Sequence, residues 1–207
     1  MKILNLYAGI GGNRKLWTDV DVTAIELNPK IAKIYQDFFP DDKVVIADAH
    51  QYLLDHFKEF DFIWSSPPCP SHSRIRKELG VGSGQNEPIY PDMKLYEEIL
   101  LLKHYFKGNY CVENVVAFYK PLISPQEFGS HYFWCNFYVR PIKTQSRNHH
   151  SSIGGLEERK GFYLDKYVGV DKRVLLRNCV EPELGLHILN AAKKSEYKDL
   201  FAKGDLI

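Results

Sequence analysis

An α/β fold with a mostly parallel sheet and an antiparallel edge is predicted by three features of the sequence. Short apolar runs alternate with segments of helical period through the first half, Gly, Pro, Asn and Asp punctuate them, and two strand-like runs follow closely in the second half. The runs Ile3 to Tyr7, Val22 to Glu26, Val44 to Asp48 and Phe62 to Ser65 read as strands. Pro29 to Phe38 reads as a helix, because Asn28 can cap it, Pro29 suits its first turn and Pro40 stops it. Residues 49–58 make a second crossover helix. In Met93 to Phe106 the apolar residues Leu95, Ile99, Leu102 and Phe106 share one face, the spacing of a packed amphipathic helix. Tyr110 to Val112 follows as a buried strand. Trp134 to Val139 and Ile142 to Gln145 read as antiparallel strands joined at Arg140-Pro141. The stretch 80–91 reads as a long loop, residues 148–177 as irregular, and Glu181 to Lys194 as helix.

The chain has 207 residues, 44% hydrophobic and 26% charged, which suits one domain with a small appendage and a core that needs no staples. Its net charge of +1 announces no polyanionic partner, so a nucleic-acid surface must come from local clustering of Lys and Arg. The cysteines Cys69, Cys111, Cys135 and Cys179 are scattered without a Cys-x-x-Cys pair, which argues against a zinc site. No apolar run approaches the roughly 20 residues of a membrane span, and the chain starts directly in a strand without a charged leader. A reduced cytoplasmic location, with no membrane and no metal, is the expectation.

Ala8-Gly9-Ile10-Gly11-Gly12 follows the first strand. Glycines there let backbone approach a ligand, and a helix N-terminus beyond them would favour an anion; a tight turn explains them equally well. Glu26 at the end of the second strand is placed to accept ribose hydroxyl protons, and Asp48 closes the third in the same way, although either could simply cap a helix. Pro67-Pro68-Cys69-Pro70-Ser71-His72-Ser73 follows the fourth strand. Three prolines stiffen this loop and fix the direction of the Cys69 thiol where open α/β sheets bind ligands. Cys111, Cys135 and Cys179 lie in apolar contexts and read as structural. Glu113-Asn114-Val115 ends the fifth strand, which brings a carboxylate to the same sheet edge. Gln145-Ser146-Arg147 ends a late strand and can supply a guanidinium. His149-His150 reads as surface or nucleic-acid facing.

Taken in order, these motifs resemble the DNA cytosine-5 methyltransferase family over nearly the whole chain. Leu6-Tyr7-Ala8-Gly9-Ile10-Gly11-Gly12 resembles its first motif, Ala24-Ile25-Glu26-Leu27-Asn28-Pro29 its second, and Asp48 its third. Ser66-Pro67-Pro68-Cys69 is similar to its nucleophile motif and Glu113-Asn114-Val115 to its glutamate motif. Gln145-Ser146-Arg147 resembles Gln-x-Arg, and Asn178-Cys179-Val180 with Pro182 resembles its last motif. Pro70, His149 and Arg177 depart from the family's usual residues. The stretch between Arg147 and Asn178 is also short for a target-recognition region.

The resemblance implies a Rossmann-like S-adenosylmethionine-dependent methyltransferase fold. Residues 1–147 would form the catalytic domain, 148–177 a minimal recognition insert, and 178–207 a helical return. It implies a cofactor, S-adenosyl-L-methionine, held by Tyr7, Ala8, Gly9, Gly11, Gly12, Glu26, Leu27, Asp48, Pro68, Asn178 and Val180. Cys69 would be the covalent nucleophile, Glu113 would serve ring nitrogen 3 of cytosine, and Arg147 the carbonyl oxygen at position 2. Ser73, Arg74, Arg76 and Gln145 would bind the substrate, with Lys77 near flanking phosphates. Among residues 148–177, Arg159, Lys160, Lys166, Lys172, Arg173 and Arg177, interleaved with Phe162, Tyr163 and Tyr167, would suit phosphate contact and loose stacking. DNA is the expected partner, and a separate specificity partner is an alternative source of recognition. Cytosine-5 methylation of tRNA and a non-catalytic DNA-binding subunit are the competing readings.

Overall fold

A computed structural model describes residues 1–73, 90–142 and 152–195 of the chain. Seven strands form one sheet in the order β3-β2-β1-β4-β5-β7-β6. Strands β1 (Lys2–Leu6), β2 (Asp21–Ile25), β3 (Lys43–Val45), β4 (Phe62–Ser65) and β5 (Asn109–Val115) are parallel. β7 (His131–Cys135) runs antiparallel to β5, and β6 (Gln126–Phe128) pairs antiparallel with β7 at the edge. Crossover helices are α1 (Pro29–Phe38), α2 (Ala49–His56) and α3 (Lys94–Tyr105); α4 (Ile153–Lys160), α5 (Lys172–Asn178) and α6 (Pro182–Lys194) follow the sheet. Strand order reverses between β1 and β4, which opens a crevice at their carboxyl ends.

The alternation of side chains across β1 separates two cores. Leu4 and Leu6 pack with Leu53 of α2 and Leu95, Ile99 and Leu102 of α3. Ile3 packs on the other face with Trp17 and with Leu184, Ile188 and Leu189 of α6. A third cluster joins Ile34 and Tyr35 of α1 to Leu156, Phe162, Leu164 and Leu176 around α4 and α5. Covering both faces is what allows the central strands to be apolar on both sides.

Asn28 caps α1, its side chain accepting from the Lys30 amide at 2.9 Å. Several boundaries differ from expectation. β3 ends at Val45, and Asp48 is the N-cap of α2, accepting from the Gln51 amide at 2.8 Å. β5 continues to Val115, so Glu113 and Asn114 lie inside the strand. No helix follows the glycine loop, because residues 12–16 form turns; the chain enters β2 before its first helix.

The antiparallel edge is also built differently. The hairpin is β6–β7, turned at Gly129 and Ser130, which both take positive φ, 59° and 64°. Gln126 explains why no strand runs through 136–139: its side chain accepts from the Val139 amide and donates to the Phe137 carbonyl, at 2.9 Å each. Those backbone groups are satisfied by one side chain rather than by a ladder. Residues 143–145 of the expected second strand lie outside the described residues, as do 80–89 of the expected loop and His149-His150.

Within 148–177, expected to be irregular, the described residues 152–177 contain helix α4 and most of α5, joined by the non-helical segment 161–171. Ser152 caps α4, Gly161 ends it in the left-handed conformation, and Asp171 caps α5. Among the described residues, no helix is long and apolar enough to cross a membrane.

Candidate active site

A cleft of about 540 Å³ opens along the carboxyl ends of β1, β2, β4 and β5, within the usual range for a small-molecule site. Its floor is the loop after β1. Tyr7, Gly9 and Gly11 take φ of 55°, 56° and 87°, a left-handed backbone that glycine adopts without strain. Tyr7 is held there by its hydroxyl, which donates to Glu98 at 2.6 Å. A side chain at Gly12 would overlap the Cys179 sulfur and the Val180 carbonyl, so the glycine lets the segment before α6 close over the loop. Tyr7, Ala8, Gly9, Gly12, Glu26, Leu27, Asp48, Pro68, Asn178 and Val180 all line the cleft. Gly11 is not part of that wall; it packs against Tyr35 and Phe39.

Glu26 is committed at two points. It accepts from the Gly9 amide at 3.0 Å and the Asn28 amide at 2.9 Å, tying the glycine loop to the end of β2. Carboxylate lone pairs remain for a ligand. For S-adenosyl-L-methionine, the cofactor that the motif resemblance implies, Glu26→Ala is expected to weaken binding by about 1.5–3 kcal/mol, the scale of hydrogen bonds to a charged acceptor. Calorimetric titration checks this, and an unchanged dissociation constant would remove Glu26 from the cofactor site.

Glu98 was not singled out from the sequence, since a Glu inside an amphipathic helix reads as solvated. It is fully buried on α3 and accepts from Tyr7 and from the Ser65 hydroxyl, both at 2.6 Å, while His50 Nδ1 lies 3.1 Å away. This carboxylate joins the glycine loop, the end of β4 and α2. Burial and the Glu98 charge keep the Tyr7 phenol neutral, far above its ordinary range. The hydrogen bond to Glu98 raises the His50 pKa above 6.5, against the opposing effect of burial. A histidine raised in the folded state contributes stability that is fully present below its unfolded pKa and is lost as pH rises through the folded value. His50→Asn should therefore lower the melting temperature more at about pH 6 than at about pH 9. An equal loss at both would show that the imidazole is neutral throughout.

The nucleophile loop is fastened to β5. Ser65 pairs with Val112, so Glu113 lies one residue beyond that register, at the same edge as the loop. Asn114 donates to the Pro67 carbonyl at 3.0 Å, and the Phe118 amide donates to the His72 carbonyl at 3.1 Å. The His72 and Ser73 amides both donate to the Cys69 carbonyl. Cys69, half-buried, and Glu113, buried, line the cleft together. Cys179 also lines it, but burial pushes that thiol up to about 12 and keeps it protonated. Burial likewise holds Cys111 well above the usual thiol range.

Two histidines in the cleft wall carry no role in the sequence reading. His72 is buried, with Nδ1 2.6 Å from the Tyr119 hydroxyl, and its Nε2 finds no partner among the described residues. Burial lowers its pKa and so favours the neutral ring. His131 reaches Glu113 from β7. A turn histidine and a strand histidine carry no spacing signal of their own; only strand pairing reveals them. Ser73 bridges to Ala117 and is not part of the cleft wall. Arg74, Arg76, Lys77, Gln145 and Arg147 lie outside the described residues.

The expected phosphate-contacting set is partly committed elsewhere. Lys160 is buried, donating to the Cys179 carbonyl and pairing with Glu181 at 2.8 Å, and Arg159 pairs with the same carboxylate at 3.0 Å. Phe162 is fully buried under α1 and cannot stack on a base. No group of three or more metal-ligating side chains occurs among the described residues.

The family model for C-5 cytosine-specific DNA methylases matches residues 1–118, more than half of the sequence. The chain belongs to that family. The methylase match spans β1 to β5 and includes the glycine loop, Cys69 and Glu113. The chain is 32% identical over 85 residues to a tRNA (cytosine(38)-C(5))-methyltransferase of Spodoptera frugiperda, covering 38% of this chain and 26% of that protein. It is 24% identical over 125 residues to the Homo sapiens tRNA (cytosine(38)-C(5))-methyltransferase, covering 57% of this chain and 31% of that one. The chain thus spans between a quarter and a third of the length of these curated relatives. A crystal structure of a Spodoptera frugiperda DNMT2 mutant aligns with 25% identity and a TM-score of 0.37, over 55% of this chain and 35% of that chain.

Proposed function

We propose that this protein transfers a methyl group from S-adenosylmethionine to carbon 5 of cytosine in DNA, through a covalent adduct at Cys69. The observation that carries the proposal is the shared cleft: Cys69 and Glu113, joined through the Asn114–Pro67 hydrogen bond, stand beside a glycine loop tethered by Glu26. The wall fits the cofactor. Glu26 would hold the ribose hydroxyls, Leu27, 66% exposed, would offer apolar surface to the adenine, and the Tyr7–Gly12 backbone with Asn178 and Val180 would hold the amino-acid end. When bound, the cofactor supplies an electrophilic methyl group.

Carbon 5 of cytosine is a weak nucleophile, and Cys69 activates it. The thiolate pair forms a bond to ring carbon 6, the ring electrons shift toward carbon 5, and Glu113 delivers a proton to ring nitrogen 3 so that charge does not build up. After methylation a base removes the hydrogen from carbon 5, the sulfur–carbon bond breaks, and the proton returns to Glu113. The target base must leave the duplex stack to reach the cleft. Arg147 on the oxygen at position 2, and Ser73, Arg74, Arg76 and Gln145 on the flanking nucleotides, complete the proposal.

The division into residues 1–147, 148–177 and 178–207 is proposed with a small recognition insert, part of which packs against α1. Either a short, relaxed sequence context or a separate specificity subunit follows from that size. The names of the two curated relatives favour a second reading, with tRNA as the substrate. Tritiated methyl transfer by the purified protein to duplex DNA, single-stranded DNA and tRNA tests both. Label in DNA, mapped at base resolution to cytosines in a short context, is the expected result. Label confined to tRNA would replace the substrate, and label in none would remove the activity.

A further inference from the structure

We propose that Glu98 is a positioning residue for the cofactor: through Tyr7 it holds the glycine loop in its binding form, and through Ser65 it keys that loop to the strand from which the Cys69 loop departs. The inference rests on the assignment of the glycine loop to S-adenosylmethionine given above. Tyr7 lines the cleft and so does Ser66, the residue after Ser65, but Glu98 and Ser65 are not part of its wall. Glu98 therefore acts on a ligand through its neighbours.

Of the left-handed residues Tyr7, Gly9 and Gly11, Tyr7 alone carries a side chain. In that conformation a Cβ crowds the neighbouring carbonyl, and a residue of this kind persists where its surroundings hold it. The two residues after Tyr7 are held by their backbone: the Ala8 amide donates to the Ile25 carbonyl and the Gly9 amide to Glu26, each at 3.0 Å. Tyr7 is held from the far end of its side chain, where the hydroxyl donates to Glu98 Oε1 at 2.6 Å. Burial, helped by the Glu98 charge, keeps the phenol protonated and so keeps it a donor.

Glu98 is anchored in its turn. The Ser65 hydroxyl, at the last residue of β4, donates to Oε2 at 2.6 Å, and His50 Nδ1 of α2 lies 3.1 Å from Oε1. The carboxylate is fully buried, so water does not compete for these contacts. One bridge, Tyr7–Glu98–Ser65, thus spans the cofactor loop and the strand that leads into the nucleophile loop. Without it the glycine loop samples forms that do not fit the ligand, and apparent affinity falls with the fraction that still fits. If about one loop in ten keeps the binding form, the dissociation constant rises about tenfold.

Calorimetric titration of S-adenosylmethionine into wild type and bridge variants tests the assignment, with each melting temperature recorded beside it. Tyr7→Phe keeps the ring in the wall and removes only the tether; it should raise the dissociation constant about tenfold. Glu98→Leu should do the same, and the Tyr7→Phe/Glu98→Leu double variant should bind no more weakly than Glu98→Leu alone, because both remove one bond. Glu98→Gln still offers an oxygen to Tyr7 and an amide to the Ser65 hydroxyl, so it should recover most of the affinity. Ser65→Ala should weaken binding by a smaller factor, although Ser65 lies outside the cleft wall. A merely structural bridge would lower the melting temperature and leave the dissociation constant of the folded protein unchanged. That result in Tyr7→Phe, which does not depend on a Glu98 variant folding, would overturn the inference; an unchanged constant in Ser65→Ala would overturn the link to β4. Failure of the underlying reading looks different, since wild type itself would then bind no S-adenosylmethionine.

Discussion

Cys69→Ala is expected to lower methyl transfer by at least about 10⁴-fold, the order of loss seen when a covalent nucleophile is removed. Cofactor affinity should stay within about twofold, because a residual cofactor site loses none of its hydrogen-bonding groups. The glycine loop, Glu26 and Asn178 stand on other elements of the cleft wall. DNA carrying 5-fluorocytosine should trap the wild-type protein covalently, since fluorine cannot leave as a proton does, and should not trap the variant. Cys179→Ala is the control: that thiol shares the cleft but is held protonated by burial, so its loss should leave the trap intact. Turnover by Cys69→Ala near the wild-type rate would end the covalent mechanism.

Glu113→Gln should slow methyl transfer by about 10²–10⁴-fold, the usual contribution of a positioned acid or base. The amide preserves shape and keeps an oxygen acceptor in the strand, so the fold and cofactor binding should be retained. Glu26→Ala should do the reverse, weakening the cofactor with a smaller effect on the saturated rate. Rate measurements at saturating cofactor, beside calorimetry on both variants, separate the two. Equal losses of cofactor affinity would mean that Glu113 belongs to the cofactor site instead.

The parallel half of the fold was legible because each of its elements carries its own local signal. Asn28 and Pro29 mark the start of α1, and the apolar face of Leu95, Ile99 and Leu102 marks α3. Cys69 was legible because its prolines are informative wherever they stand. The antiparallel edge was legible but its first strand was placed too late in the chain, because Val139 is paired through the Gln126 side chain, a long-range contact without periodicity. The helices α4 and α5 have caps in Ser152, Gly161 and Asp171 that the sequence carries and the reading of 148–177 as irregular did not use. Glu98 and His131 become functional candidates only through partners supplied by other elements, Tyr7 and Ser65 for the first and Glu113 for the second.

The contact of Gly12 with Cys179 and Val180, and of Gly185 with the Asn13 backbone, bears on the order in which the protein comes into being. A chain leaving the ribosome presents the glycine loop well over a hundred residues before the segment that closes over it. By the time β5 has emerged, the loop that carries Cys69 can already be fastened to β5 through Asn114, while the glycine loop still lacks its cover. Joining segments so distant along the chain is entropically costly and slow compared with forming neighbouring strand–helix units. The strand edge that carries Glu113 and the closed form of the glycine loop thus arise at separate moments of synthesis, and the second waits for the segment that leads into α6.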